Sequence, residues 1–307
     1  MLLEILDLWS YRQKKKANHL LTKQKKQIEK TNKKLNATIE LVNEQKSEIE
    51  LAHLHIQDSI NYASRIQSAV LSENILGNKL ADHFILYKPS DIVSGDFYWM
   101  KEIGANVVVA AADCTGHGVP GAFMSMLGTA FLNEITADKN AKMPEEILNE
   151  LRSKIKTSLK QTGKEGESKD GMDIAIYTIN TVTNTLFYAG ANNPVFVIRK
   201  GTRQNGLNNV PNQKILHNGT HTLFDIKGSR QPVGIYMIEK PFETIEISLQ
   251  KEDCLYTFSD GYVDQFGGEN GRKFMTKAFK QLLLKICNKP MSEQKRILNE
   301  SIINWIG

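Results

Sequence analysis

Val107-Val-Val-Ala-Ala-Ala-Asp-Cys-Thr-Gly-His-Gly118 joins an apolar run to an acid and a glycine-rich turn. The run 107–112 is typical of a buried strand, and the periodicity of Pro120–Ile135 after the turn indicates a helix. Asp113 therefore ends a strand that fixes its backbone, and the glycines behind it let other backbone approach. Such a position suits a ligand of a hard cation, although a lone acid beside glycine is more often a simple turn.

Two further acids occupy similar positions. Asp96 lies in Val93-Ser-Gly-Asp-Phe-Tyr-Trp99, and Asp260 follows the apolar run 254–258 in Ser259-Asp-Gly261. Two carboxylates about 4 Å apart repel by about 4 kcal/mol at an effective dielectric constant near 20. A divalent cation would relieve that repulsion. Because the candidate ligands are oxygens, without a His or Cys cluster, they favour Mg²⁺ or Mn²⁺ over Zn²⁺.

Other kinds of site find less support. Cys114 and His117 form a C-x-x-H pair, but no second pair stands at a spacing suited to zinc. We therefore expect His117 to organise the loop or to hydrogen-bond to a metal ligand. The sequence has no G-x-S-x-G elbow, Walker loop or dinucleotide fingerprint. Its three cysteines are widely spaced and form no C-x-x-C pair, which argues for a reducing compartment.

The region after Gly77 contains both predicted strands and predicted helices. Its predicted strands come in clusters and its predicted helices in pairs, which indicates an α+β domain of antiparallel sheets covered by helices. The predicted strands are 84–87, 107–112, 173–178, 186–188, 194–198, 244–247 and 254–258. The predicted helices are 120–135, 144–159, 273–287 and 292–305, with hairpins and loops over 200–232.

A long helix is predicted to precede this domain. No Gly or Pro occurs before Gly77, and residues 12–76 are predicted to form a helical, coiled-coil linker. One apolar stripe recurs every seven residues: Leu21, Ile28, Leu35, Val42, Ile49 and Ile56. The other heptad seam is largely polar, so the pattern predicts a weak parallel homodimer in which buried polar residues set the register. The alternative is a single amphipathic helix that lies on its own domain.

Positive charge is concentrated in one segment. The net charge is +5, yet the stretch from Ser10 to Leu35 alone holds ten Lys or Arg residues against one acid. The rest of the chain is slightly acidic, which argues against nucleic-acid binding. Residues 1–11 form an apolar stub far shorter than the ~20 residues of a membrane span. The stub is either a membrane-proximal remnant or a solvated helix end, so we expect a cytoplasmic protein, free or at the inner face of the membrane.

Five motifs occur in a fixed order along the chain. They are Ser94-Gly-Asp-Phe-Tyr98, Asp113-Cys-Thr-Gly-His-Gly-Val-Pro-Gly121, Tyr188-Ala-Gly-Ala-Asn-Asn-Pro194, Gln231-Pro-Val-Gly234 and Ser259-Asp-Gly261. In this order they resemble the metal-dependent protein phosphatases (PPM), in particular their bacterial SpoIIE-like branch. The resemblance covers residues from about 80 to the end. Segment 59–70 is also similar to the linker before this domain in sensor-coupled members.

The resemblance implies a fold and a ligand set. The fold would be an αββα sandwich of two antiparallel sheets, with two Mn²⁺ or Mg²⁺ ions between them. Matched motif by motif, Asp113 would bridge both ions, and the backbone carbonyl of Cys114 would be a ligand beside it. Asp96 would bind one ion and Asp260 the other.

The chain departs from the family pattern in two places. Ala191-Asn192 stands near where the family has Gly-His, and the family has paired aspartates after the segment that matches Trp305-Ile-Gly307. We therefore expect the phosphatase domain, residues 80–307, to be incomplete at its carboxyl end. Asp264 is one candidate to substitute for the absent ligand, or to contact the metal ligands without binding the metal itself.

Two functions follow from these observations. The first is a metal-dependent serine/threonine phosphatase that acts on a phosphorylated regulatory protein, such as an anti-sigma-factor antagonist, under control of the N-terminal helix. The alternative is a non-catalytic coiled-coil signalling switch that keeps the phosphatase fold with a defective metal site.

Overall fold

The computed structural model describes residues 2–71, 82–138, 142–164, 166–201, 207, 210–211 and 213–307. The chain forms two compact units, Met1–Ser59 and Ile60–Gly307. The first unit is helical, and the second holds the sheets. The predicted boundary at residues 76–80 lies outside the described residues.

Helix α1 (Leu2–Val70) is continuous, as the absence of Gly and Pro predicts. It includes residues 2–11, which the sequence set apart as an apolar stub. In the first unit the heptad stripe is open to solvent, since its six members are 54% to 69% exposed. No helix in the described part of the chain is long and apolar enough to cross a membrane.

Two antiparallel sheets form the centre of the second unit. The first has the strand order β1-β2-β3-β4-β8, and the second has the order β6-β7-β5-β9. The strands of the first sheet are β1 (Phe97–Ile103), β2 (Asn106–Cys114), β3 (Met172–Asn180), β4 (Thr185–Ala191) and β8 (Ile245–Ser248). Those of the second are β5 (Val195–Lys200), β6 (Gln213–His217), β7 (His221–Ile226) and β9 (Cys254–Thr257).

Four helices cover the outer faces of the sheets. Helices α2 (Gly118–Ile135) and α3 (Pro144–Ser158) share a core with the first sheet, and α4 (Thr276–Ile286) and α5 (Met291–Ile306) share one with the second. A third core lies between the sheets. The α+β sandwich expected from the sequence is therefore confirmed.

The two faces of β2 serve different cores. Val108 and Ala110 pack toward α2 and α3, whereas Val107 and Val109 pack between the sheets. Side chains alternate along a strand, so every second residue points to the same face. By this alternation Asp113 shares the inter-sheet face with Val109.

The strand predicted at 84–87 is wrong. Residues 83–89 belong to no strand. The apolar alternation there has another cause, because Ile85 packs into the core between the sheets while Phe84 and Leu86 pack into the core under α4 and α5.

Helix α4 also begins later than predicted. Arg272–Lys273 instead forms β11, paired with β10 (Phe266–Gly267).

All three cysteines are free and buried. Cys114 packs in the core beneath α2 and α3, while Cys254 and Cys287 share the core beneath α4 and α5. Burial raises the pKa of each thiol. They serve as core residues, in keeping with the absence of a disulfide pattern.

Candidate metal centre

Asp96 and Asp113 lie side by side at one end of the first sheet. Phe97 pairs with Ala112, so Asp96, one residue earlier, comes opposite Asp113, one residue later. Both acids stand at the edge of the core between the sheets, which β1 and β2 line with alternate residues such as Val109. Their carboxylates therefore open into the crevice where the two sheets meet.

Asp260 reaches the same crevice from the second sheet, three residues after β9 ends. The hydroxyl of Ser259 donates a hydrogen bond to Oδ2 of Asp96. Gly261 borders the same carboxylate, because a Cβ there would stand 3.6 Å from Asp96 Oδ2. The carboxyl of Asp113 interacts with both Asp96 and Asp260. The structure thus brings together the three acids that the sequence singled out.

Negative charge is concentrated around Asp113. Burial, followed by the neighbouring carboxylates of Asp96 and Asp260, raises the pKa of Asp113 from 3.8 to about 8. Burial and the nearby like charges both disfavour the ionised form, so this carboxyl keeps its proton to a higher pH. Divalent ions would offset that charge and displace the proton.

Close backbone packing joins the loop that carries Asp96 to the turn after Asp113. A Cβ on Gly95 would stand 2.8 Å from the carbonyl oxygen of Gly116 and 3.2 Å from that of Cys114. A Cβ on Gly121 would stand 2.5 Å from the same Gly116 oxygen. Only glycine allows this approach. It brings the Cys114 carbonyl, the expected backbone ligand, against the loop that carries Asp96.

These donors fit a hard divalent cation. Three carboxylates and one backbone carbonyl are the all-oxygen donors that Mg²⁺ and Mn²⁺ prefer, and the Cys114 thiol is buried on the other face of the sheet. Within the described ranges, however, no three His, Cys, Asp or Glu side chains are already gathered as a ligand shell. We expect a bound ion to neutralise the repulsion between these acids and to draw their oxygens into one ligand shell.

The sequence did not single out Asp173, which lies in the same row. It pairs directly with Asp113 across β2 and β3, so the two side chains share one face of the sheet. Burial raises the pKa of Asp173, a hydrogen bond from Asn192 lowers it, and the charge of Asp260 raises it. The sequence shows only that Asp173 opens a predicted strand, whereas its place opposite Asp113 depends on the register of β2 and β3.

His117 and Asp264 lie outside this group of acids. His117 is exposed immediately before the first residue of α2, and its side chain makes no capping hydrogen bond. Lys273 donates a hydrogen bond of 2.6 Å to Oδ2 of Asp264. The backbone N–H of Asp264 donates to the carbonyl of Asp260 at 2.9 Å. Asp264 therefore contacts the Asp260 loop through its backbone and pairs its carboxylate with a lysine.

The end of α1 is bonded to the loop that carries Asp96. Gln67 is 5% exposed. Its Nε2 donates to the carbonyl of Ser94 at 2.7 Å and to Oγ of Ser125 at 2.8 Å, and its Oε1 accepts from the Ser94 N–H at 3.1 Å. Oγ of Ser94 in turn accepts from the Asp96 N–H, and the Tyr87 hydroxyl donates to the Asp96 carbonyl. One buried amide thus joins α1, the Asp96 loop and α2.

Comparisons with known proteins agree on the domain. Residues 104–306 match the Stage II sporulation protein E (SpoIIE) family. The SiaA-PP2C domain of Pseudomonas aeruginosa is 28% identical over 83% of this chain and 92% of that one, with a TM-score of 0.67. The RsbU and RsbW domains of Rv1364c from Mycobacterium tuberculosis are 17% identical over 72% of this chain and 53% of that one, with a TM-score of 0.51. No curated protein matches this chain.

Proposed function

Because this chain belongs to the Stage II sporulation protein E (SpoIIE) family, we propose that it is a metal-dependent serine/threonine protein phosphatase. It removes phosphate from phosphoserine or phosphothreonine in a regulatory protein, with two Mn²⁺ or Mg²⁺ ions in the crevice between the sheets. The observation that carries the proposal is the meeting of Asp96, Asp113 and Asp260 in one charged cluster built from both sheets.

The residues of the crevice have separable roles in this reaction. Bound divalent ions would lower the pKa of a water toward about 7 and offset phosphoryl charge. Asp113 interacts with both other acids, so it is the carboxylate best placed to serve two ions. Asp96 and Asp260 would each hold one of them, with the carbonyl of Cys114 beside Asp113. Because water is the attacking group, no side chain has to form a bond to phosphorus.

The surface next to the crevice favours a protein substrate. Val119 and Phe123 in the first turns of α2 are 37% and 68% exposed, directly after the turn that follows Asp113. Exposed apolar side chains beside a site suit the docking of another protein. Together with the family resemblance, they support a phosphorylated regulatory protein of the anti-sigma-factor antagonist type as the substrate.

Control through the helix is supported by Gln67. This single side chain of α1 bonds to the N–H and the carbonyl of Ser94 and donates to the hydroxyl of Ser125. A shift or rotation of α1 would therefore reach Asp96 through Ser94, and would reach α2 through Ser125. We propose that signals received by α1 change the metal affinity of the crevice by this route.

Pairing of two copies along α1 is part of the same proposal. The apolar stripe from Leu21 to Ile56 is solvent-exposed in the single chain. An isolated helix gains little from such a stripe, but two parallel copies would bury it in a heptad seam. A homodimer would thus pair two regulatory helices, each belonging to a chain with its own phosphatase domain.

The test is hydrolysis of a phosphoserine peptide with Mn²⁺, with Mg²⁺ and in excess EDTA. We expect turnover with either metal and none in EDTA, with Asp113→Asn as the inactive control. Equal turnover in EDTA would disprove the proposed mechanism.

One observation favours the second function, a non-catalytic switch. The carboxylate of Asp264, which the sequence offered as a possible further ligand, is paired with Lys273 instead. A switch of this kind would still bind partners through α1 but would hydrolyse nothing at millimolar Mn²⁺. The same assay therefore separates the two functions.

A further inference from the structure

We propose that Asp173 is a fourth carboxylate of the metal centre and that Asn192 holds it in place, an inference that rests on the phosphatase function proposed above. The family resemblance gave ligand roles to Asp96, Asp113 and Asp260. It left Asp173 without one.

Strand register sets four polar residues in one row across the first sheet. Asp113 on β2 pairs directly with Asp173 on β3. Asp96 flanks Asp113 on the other side, immediately before β1. Asn192 directly follows β4 and contacts Asp173. Asp113 therefore has a carboxylate neighbour on each side, and the row ends in an amide.

Asp173 shares the face of β3 that borders the crevice. Ala175 and Tyr177, two and four residues further on, belong to the core between the sheets. Ile174 and Ile176 belong to the core beneath α2 and α3. Because side chains alternate along a strand, Asp173 lies on the same side as Ala175.

Asn192 fixes this carboxylate from one side. Its Nδ2 donates to Oδ1 of Asp173 at 2.8 Å. Its backbone has φ 58°, a left-handed conformation that asparagine tolerates, and its N–H donates to the carbonyl of Ser229 at 2.8 Å. Among the described residues, Oδ2 of Asp173 has no hydrogen-bond donor. One oxygen is thus held by the amide, and the other is left for a ligand.

A row of three acids requires positive charge. Like charges directly opposite one another on a sheet are destabilising. One neutral amide offsets part of that charge. The buried ion pairs of the described residues go to other acids, such as Arg199 with Asp253 and Lys280 with Asp225. An ion shared by Asp113, Asp173 and Asp260 would supply the charge and would use only oxygen donors.

The experiment is calorimetric titration of the full chain with Mn²⁺. Variant Asp173→Asn is compared with the unmodified chain, with Asp113→Asn, and with the matched control Asp138→Asn, three residues beyond the end of α2. We expect Asp173→Asn to weaken Mn²⁺ binding by about tenfold or more, as loss of a group that ligates or supports a metal usually does. Asp138→Asn should bind like the unmodified chain.

The outcomes separate this inference from the proposed function. If Asp113→Asn weakens binding and Asp173→Asn does not, the inference fails while the phosphatase proposal stands. If the unmodified chain binds no Mn²⁺, the proposed function fails and the inference falls with it. Thermal melting in EDTA tests whether Asp173 has a purely structural role. If metal-free Asp173→Asn has a markedly lower Tm than the metal-free unmodified chain, its weaker Mn²⁺ binding would come from misfolding, and the inference would be overturned.

A second variant serves if Asp173→Asn does not fold. Asn192→Gly suits the left-handed backbone and removes only the amide. It should weaken Mn²⁺ binding by roughly threefold to tenfold, at or below the usual loss for a supporting group. Unchanged affinity in a folded Asn192→Gly would overturn the role given to this pair.

Discussion

Proton release should accompany metal binding at Asp113. Burial and the charges of Asp96 and Asp260 raise the pKa of Asp113 to about 8, so below that pH an ion must displace a proton. Mn²⁺ affinity is therefore expected to rise from about pH 6 to about pH 8 and then to level off. Calorimetry in buffers with different ionisation enthalpies measures the released protons. Affinity that is independent of pH, without proton release, would contradict the assignment.

Replacement of single acids should show how much each one contributes to kcat. Asp113→Asn is expected to lower kcat far more than Asp264→Asn, because Asp113 interacts with two other acids whereas the carboxylate of Asp264 is paired with Lys273. We expect at least a hundredfold difference, on the order of the effect of removing a group that stabilises the transition state. Single-turnover assays on a phosphopeptide measure it. Similar losses in the two variants would mean that the ligand assignment is wrong.

At the scale of elements, replacement of Gln67 should destabilise the protein at the loop that carries Asp96. Gln67→Leu keeps a side chain of similar volume but leaves the N–H of Ser94 without its acceptor, at a cost of about 1–3 kcal/mol. We expect urea denaturation to show this loss, together with a higher Mn²⁺ requirement. The matched control is Gln57→Leu on the exposed part of α1, which should change stability by less than about 0.5 kcal/mol. Equal stability of the two variants would remove Gln67 from the proposed route of control.

The stripe on α1 should decide the oligomeric state. Leu35 and Val42 are each 54% exposed in the single chain, and a coiled-coil dimer would bury both. The double variant Leu35→Asp/Val42→Asp should be a monomer in analytical ultracentrifugation under conditions where the unmodified chain is a dimer. An unmodified chain that is still monomeric at high micromolar concentration would rule out pairing through this helix.

Long-range pairing explains which elements could be predicted. Strand β2 was recognisable from its apolar run, and α1 from its lack of Gly and Pro. The segment 84–87 has the same local alternation, yet it lies between two cores without a ladder partner. Local pattern cannot distinguish these cases. Asp173 was missed for a related reason, since its position opposite Asp113 follows from strand register and not from the residues around it.

At the scale of the whole molecule, the second unit should fold without the first. The three buried cores lie entirely within Ile60–Gly307. A fragment of these residues is expected to melt cooperatively, with a Tm within about 4 °C of the full chain, which corresponds to roughly 1 kcal/mol. Its Tm should no longer depend on protein concentration, because the dimer helix is absent. A fragment without a cooperative transition would show that residues 1–59 are needed for folding.

Because the three native thiols are buried, they should react little with thiol-specific labels. Burial raises the pKa of Cys287 to about 11 and also raises those of Cys114 and Cys254. The thiolate is the form of cysteine that attacks maleimides and methanethiosulfonate spin labels, so these native positions should react slowly. A cysteine introduced at exposed Gln57 would then carry nearly all of the label. Pulsed electron paramagnetic resonance between the labels of two copies could read the spacing of the paired helices directly, without removal of any native cysteine.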